Sequence, residues 1–380
     1  MASTIPPPAH RLQVIAQARQ QALCDGLSPA SGLLQPWIAR SWQRCLSLGL
    51  SPQKSVHFGA VSAALARLTS DANRELVTAA RPVLERLCRA TRDSGYFAIL
   101  TNHLGVVVDA NGPIDRNDRR ADLITRIGTD LSEASVGTTA IGAALSELAP
   151  VWLHRGEHFF DDTSVYSCAG APLFGPKGDC VGMLDLTGVQ VAERPELRHL
   201  VVQAARSIEN LLTQSQPHAL MLRLNWPGHT LGGDSDGLLL VDADGAIVGA
   251  NSASRQLLPE LAQEGESNRH CRDLFAMATE QLFSAAGRES QSLEVPLWSG
   301  IRLQLQARGR NTGSTPCADA LLQPRMDSAA QAKLPLKALQ AAHIRQAVQD
   351  ARGNVAQAAR ALGVSRATVY RKLQVVTPGD

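Results

Sequence analysis

From Glu75 to Arg92 the apolar residues recur every three or four positions: Leu76, Ala80, Val83, Leu84, Leu87 and Cys88. That spacing lays one apolar stripe along a helix. The same period returns in ERPELRHLVVQAARSIENLLTQ, through Leu197, Leu200, Val201, Ala204, Ile208, Leu211 and Leu212. A further helix is predicted from Pro36, stopping at Gly49, with Trp37, Trp42, Cys45, Leu46 and Leu48 as its apolar part. Between the two long helices the pattern shortens. YFAILTN and LGVVVDANG read as strands broken by a turn at Asn102-His103, and APVWLHRGEHF, APLFGPKG and CVGMLDLTG follow as strands punctuated by Pro and Gly. ADLITRIG predicts a short helix, and TDLSEASVGTTAIGAAL a longer one capped near Thr129 or Ser132. Strands flanked by helices predict an α+β domain built on one antiparallel sheet.

A second such region follows. GLLLVDADGAIVGANSASRQLL predicts a hairpin turning at Asp244-Gly245 and running into a short helix at Ala253. LEVPLW and IRLQLQA, joined at Ser299-Gly300, add two alternating strands. Just ahead, Gly233-Asp234-Ser235-Asp236-Gly237 has the spacing of the G-x-S-x-G nucleophile elbow, but the elbow needs a strand before the serine and a helix after it. Here the strand follows, so the phrase reads as a turn. No paired acid/base carboxylates or metal cluster supports an enzyme either, and no catalytic residue is assigned. The expected division is a helical segment over 1–70, a sensory domain over 71–215, a linker over 216–231, a second domain over 232–310, a flexible linker over 311–334 and a helical domain over 335–376.

Toward the C-terminus Leu339, Ile344 and Val348 stripe one helix, and two shorter helices follow around Gly363. Ala358, Ala359 and Leu362 share a face of the first, Val369 and Leu373 a face of the second, and Ser365 stands as an N-cap. The outer face of the last helix carries Arg366, Thr368, Tyr370, Arg371 and Lys372. Charge sharpens this picture. The whole chain is formally +2, yet Lys337, Arg345, Arg352, Arg360, Arg366, Arg371 and Lys372 face only Asp350 and Asp380 in the last stretch. Positive charge is concentrated where phosphate would be met.

Gly353-Asn354, Ala358-Ala359, Leu362-Gly363-Val364-Ser365-Arg366, Thr368 and Tyr370-Arg371-Lys372-Leu373 resemble the Fis-type helix-turn-helix that ends bacterial enhancer-binding regulators. The resemblance implies a dimer on a near-palindromic site in double-stranded DNA. Ser365, Arg366 and Tyr370 would face base edges, and Asn354, Thr368, Arg371 and Lys372 would meet phosphate. Tyr370 stands where Fis has a basic side chain, so base preference does not transfer.

Two further sets of phrases point the same way. Ser41-Trp42, Arg44-Cys45, Gly49-Leu50 and Pro52 resemble the N-terminal signature of acetoin-catabolism-type regulators. The phrases G-T-D-L-S-E-x3-G-T-T-A-I-G from Gly128, E-H-F from Glu157, C-A-G-A-P from Cys168 and G-x-L-D-L-T-G from Gly182 resemble the GAF domain of that family. The 232–310 region resembles a PAS domain. A GAF domain implies a small-molecule effector between sheet and helices, and Trp152, His158, Tyr166 and Cys168 are its candidate lining. His154 and His158 have a helical metal-ligand spacing, but Gly156 lies between them in strand and loop context, and each reads as a structural histidine. No metal or other cofactor is expected.

Composition excludes other classes. The 380 residues are 44% apolar, and the N-terminus, MASTIPPPAHRL, has prolines where a signal peptide needs an apolar run. Seven scattered cysteines form no C-x-x-C, as in reduced cytoplasmic proteins. No stretch approaches a membrane span. Regulators with such a front end and tail usually carry a central ATPase with a G-x4-G-K-[ST] loop. In this sequence no glycine is followed by lysine. The expectation is a regulator that hydrolyses no ATP and acts by occupying DNA, contacting RNA polymerase directly or joining a related regulator.

Overall fold

The computed structural model describes residues 8–27, 34–262, 269–286 and 292–309. The chain divides into two units, Met1–Arg310 and Asn311–Asp380; the basic helix-turn-helix stretch, with Asn354, Ser365, Arg366, Thr368, Tyr370, Arg371 and Lys372, lies outside the described residues.

The N-terminal part supplies α1 (Pro8–Arg19), α2 (Pro36–Ser47), α3 (Ala63–Ala72) and α4 (Arg74–Ala90). The apolar stripe of α4 is buried as its period requires, whereas Leu46 and Leu48 at the end of α2 are exposed and Ile38, Ser41, Trp42 and Cys45 are its buried face. Next come β1 (Tyr96–Asn102), β2 (Val107–Asn111), α5 (Arg119–Ile124), α6 (Glu133–Val136), α7 (Ala140–Glu147), β3 (Val151–His154), β4 (Tyr166–Phe174), β5 (Cys180–Val189) and α8 (Leu197–Ser215). The five strands form one antiparallel sheet in the order β2-β1-β5-β4-β3. Leu100, Leu184, Leu186 and Ala169 on one face pack under α4 and α8. Ile99, Met183, Cys168 and Tyr166 on the other meet α5, α6 and α7.

The predicted single helix from Thr129 is two. Gly137, at φ +65, ends α6, and the Thr139 side chain caps α7 by accepting from the Gly142 amide at 3.2 Å. A Cβ on Gly137 would lie 3.0 Å from Phe159 and Phe160, so glycine meets both the backbone demand and the space. Gly170 in β4 has a similar use. A Cβ there would meet Met183 and the Ala140 carbonyl, so its absence lets α7 sit directly on the sheet.

The second sheet comprises β6 (Leu220–Asn225), β7 (Gly237–Val241), β8 (Ile247–Ala250), β9 (Leu293–Pro296) and β10 (Arg302–Gly309), with α9 (Ser252–Leu257), α10 (Cys271–Leu274) and α11 (Thr279–Ala286) on its inner face. Its order is β8-β7-β6-β10-β9, again antiparallel. In both sheets the first strand lies beside the last. The expected linker over 216–231 is corrected here. Leu220, Leu222 and Leu224 are fully buried in the second core, and β6 is the middle strand of the sheet. Only Gln216–Ala219 separates it from α8. The Gly233–Gly237 phrase is a turn leading into β7, and Asp244-Gly245 turns between β7 and β8. Beyond the second sheet's inner core, α8 packs against β7. Among the described residues no helix is long and apolar enough to cross a membrane.

Candidate functional site

Strand parity decides what the first sheet offers to its α6–α7 side. Cys168 pairs in register with Leu153 and Thr187, and Asp185 with Gly170 and Ile99. Side chains two apart share a face, so Tyr166, Cys168, Asp185 and Thr187 point the same way. With Ile99 they floor a cavity roofed by Val136, Thr139, Ala140 and Ile141, and edged by Phe58, Ile124, Leu131, His158 and Thr163. The cavity volume is about 30 Å³, room for little more than water, whereas a cavity that takes a benzene-sized guest measures about 150 Å³.

Three of the four predicted lining residues meet here: His158, Tyr166 and Cys168. Trp152 does not. It pairs with Ala169, packs on the α4–α8 core, stacks on His154 at 6.5 Å and reaches Glu193 through its indole N–H at 3.4 Å. A one-residue step along β3 places it on the opposite face.

The polar wall is the part that composition and spacing did not single out. Asp185 is 1% exposed, between Leu184 and Leu186 of β5. The Thr187 hydroxyl donates to its Oδ2, and the Cys168 thiol lies 3.3 Å from Thr187 Oγ1. Among the described residues Oδ1 has no hydrogen-bond partner. Burial pushes the Asp185 carboxyl up to about 7, so at neutral pH it is a proton donor about as often as an anion. Burial likewise pushes the Cys168 thiol well up, which keeps it protonated and inert. The signal for the pair was present: Asp185 and Thr187 stand two apart inside an apolar run, and a polar pair on one face of a buried strand calls for a partner.

His158 is 1% exposed, and its Nδ1 donates to the Arg155 carbonyl at 2.9 Å. That bond fixes the tautomer and leaves Nε2 as an acceptor. Burial lowers its pKa to about 4, so the ring is neutral at physiological pH. Tyr166 meets His158 edge-on at 6.3 Å and donates its hydroxyl to the Arg120 carbonyl at 3.2 Å. His154 bonds Ser167 Oγ through Nδ1 at 2.8 Å. The two histidines therefore share no ligand face, and among the described residues no group of three or more His, Cys, Asp or Glu could hold a metal. The site is a small, mostly apolar cavity whose polar groups are the Asp185 carboxyl, the His158 imidazole and the hydroxyls of Thr139, Thr163, Tyr166 and Thr187.

A family model described as the MimR N-terminal domain matches residues 14–210, just over half of the chain. The chain belongs to the MimR N-terminal-domain family. A second model, the bacterial regulatory protein Fis family, matches residues 335–374. Among curated relatives, the signal-transduction and transcriptional-control protein of Clostridium beijerinckii is 30% identical over 189 residues, 49% of this chain and 30% of that protein. The acetoin catabolism regulatory protein of Cupriavidus necator is 28% identical over 232 residues, 58% of this chain and 34% of its own. The propane 2-monooxygenase operon transcriptional activator MimR of Mycolicibacterium goodii is 30% identical over 199 residues, 52% and 33%. The chain thus spans about a third of the length of the curated relatives it matches. The crystal structure of the E. coli DhaR(N)–DhaL complex covers 72% of this chain and 99% of its own, at 16% identity and a TM-score of 0.44. These relatives are described as transcriptional regulators, and this chain carries both a MimR N-terminal-domain match and a Fis-family match.

Proposed function

We propose that this member of the MimR N-terminal-domain family is a sequence-specific DNA-binding transcription regulator controlled by a small uncharged molecule held in the cavity of its first domain. The observation that carries the reading is the joining, in one chain, of that domain to a Fis-family segment at 335–374. The effector reading is supported by two groups of one cavity lining: Asp185, whose Oδ1 has no hydrogen-bond partner among the described residues, and a neutral His158. A charged effector would bring an unpaired charge into a site without a fixed counter-charge, at a cost of several kcal/mol; a hydroxyl or carbonyl group meets the same atoms without it. The PAS-like reading of the second sheet adds a further sensory or spacer module between cavity and DNA.

Within the DNA-binding segment Ser365, Arg366 and Tyr370 read bases while Asn354, Thr368, Arg371 and Lys372 hold phosphate, on a near-palindromic site met by a homodimer. The phosphate-cradling loop of sigma-54 ATPases is absent from the 380 residues, which supports action without ATP hydrolysis. A second reading is that the chain joins a related regulator and modulates it as a hetero-oligomer. Fluorescence anisotropy on sites recovered by genomic footprinting separates the two. The purified homodimer binds those sites tightly, and Arg366→Glu with Arg371→Glu abolishes binding; a homodimer that binds no recovered site overturns the first reading in favour of the second.

A further inference from the structure

The cavity has a rigid floor and a supported roof. Its floor belongs to β1, β4 and β5, each paired on both sides within the sheet. Its roof is α6 and α7, of four and eight residues, and the irregular stretch bearing His158 and Thr163. Helices this short have little stability of their own. What covers them therefore sets where they lie.

The cover is the N-terminal segment, expected from sequence as a separate helical region. Arg44 on α2 forks onto Glu133 of α6, Nε to Oε1 at 2.6 Å and Nη2 to Oε2 at 2.9 Å. Its Nη1 reaches Glu147, the last residue of α7, at 3.2 Å, and Arg40 pairs with the same carboxylate. Ser41 bonds both Glu133 at 2.6 Å and Thr138 at 2.7 Å. Trp42 is 1% exposed against Phe159 and Phe160 and donates to the Glu157 carbonyl at 3.0 Å. From α1, Arg19 collects the carbonyls of Gly156, His158 and Phe159 at 2.9, 2.5 and 3.1 Å, and Arg11 pairs with the buried Glu157. Gly156 lacks a Cβ where one would strike Ile15 and Arg19. Finally, Phe58 from the stretch after α2 lines the cavity itself.

We infer that residues 8–27 and 34–62 are a clamp on the cavity roof, and that the cavity enlarges only when this clamp shifts. Resting on the reading that the cavity takes the effector, this makes the N-terminal segment the first element to register occupancy. Growth from about 30 Å³ toward the roughly 150 Å³ of a cavity that takes a benzene-sized guest cannot come from a floor of doubly paired strands. It must lift α6, α7 or the His158 stretch, and each is bound to α1 or α2 by charge-assisted bonds. By linkage, a guest that loosens the clamp is one whose entry a broken clamp favours by the same factor.

Cys168, a buried free thiol on the floor, reports opening without effector or DNA. The full chain is treated with methyl methanethiosulfonate and each cysteine is followed by peptide mass spectrometry. Cys88, on the far face of the sheet, and Cys271, in the second core, serve as internal controls. In Arg44→Ala, and independently in Glu147→Gln, Cys168 modification accelerates at least tenfold over the parent while Cys88 and Cys271 change less than twofold. Glu147→Gln removes only the outer carboxylate and preserves size, so it carries the test should Arg44→Ala fold poorly. An unchanged Cys168 rate overturns the inference, as does an equal rise at all three cysteines, which marks general loosening. Either failure leaves the effector reading standing, because neither measurement uses an effector.

Discussion

Asn251 Nδ2 donates to Asn210 Oδ1 at 2.7 Å, and this bond joins the N-cap of α9 in the second domain to α8 of the first. The same amide donates to the Asp236 carbonyl at 2.9 Å, while Asn251 Oδ1 accepts from the amides of Leu238 and Ser254, both at 2.8 Å. All of these groups are buried, so none finds water when the amide is removed. Asn251→Ala is expected to cost about 2–4 kcal/mol, the sum of a lost N-cap and stranded buried donors. Urea denaturation followed by fluorescence should show a lowered midpoint, and a second transition as the two sheets uncouple; an unshifted midpoint would refute the account.

A second expectation concerns proton linkage at Asp185. Its native pKa of about 7 lies above the 3.8 of the free side chain. Between those values the native state holds a proton that the unfolded chain has released, so this group's stabilisation is complete at low pH and falls as pH rises through 7. His158, held at about 4 against 6.5, acts oppositely: its contribution is lost as pH falls from 6.5 toward 4. The two oppose each other in the parent. Asp185→Asn removes one side of the balance, so the variant gains on the parent by about 2 kcal/mol between pH 5 and pH 7. Paired urea titrations at the two pH values measure this, and a pH-independent difference would sink it.

Gly137 carries a third. At φ +65, with Phe159 and Phe160 3.0 Å from an added Cβ, it combines a backbone demand with a steric one. Gly137→Ala should lose about 2–3 kcal/mol. The loss should be accompanied by faster hydrogen exchange in Glu133–Val136 and Ala140–Glu147, with Leu197–Ser215 unaffected; equal exchange in both regions would point to a different cause.

How far the chain could be read in advance depended on which physical signal each element leaves. The helices α4 and α8 bury one face against a sheet, and their period is written plainly in Leu76 to Cys88 and Leu197 to Leu212. β6 was hidden by its flanks: Pro217 and Pro227 suggested a linker although Leu220, Leu222 and Leu224 alternate perfectly. The break at Gly137 was legible in part, because Val136, Thr138 and Thr139 beside the glycine are all weak helix formers. Cavity membership required register. Nothing in the sequence alone says that Leu153, and not Trp152, stands opposite Cys168, and one step along a strand moves a side chain to the other face. Asp185 was legible as a lone carboxyl in an apolar run, but Leu184 and Leu186 point to the opposite face, so its burial and its neighbours came only from the fold.

The last expectation tests the DNA-facing half through salt. If Lys372 meets a phosphate and Arg366 a base edge, their losses must differ in kind and not merely in size. Each neutralised phosphate releases counterions, so Lys372→Ala should flatten the slope of log affinity against log salt by about 1, and weaken operator and random duplex alike. Arg366→Ala removes a bidentate contact worth about 1–3 kcal/mol of discrimination. It should therefore lower operator affinity by roughly 10- to 100-fold, with less loss on random sequence. Anisotropy titrations on both duplexes across a salt series give all four quantities. Should the two substitutions prove interchangeable, Ser365 to Lys372 would be gripping the backbone alone, and sequence reading would have to reside elsewhere in the chain.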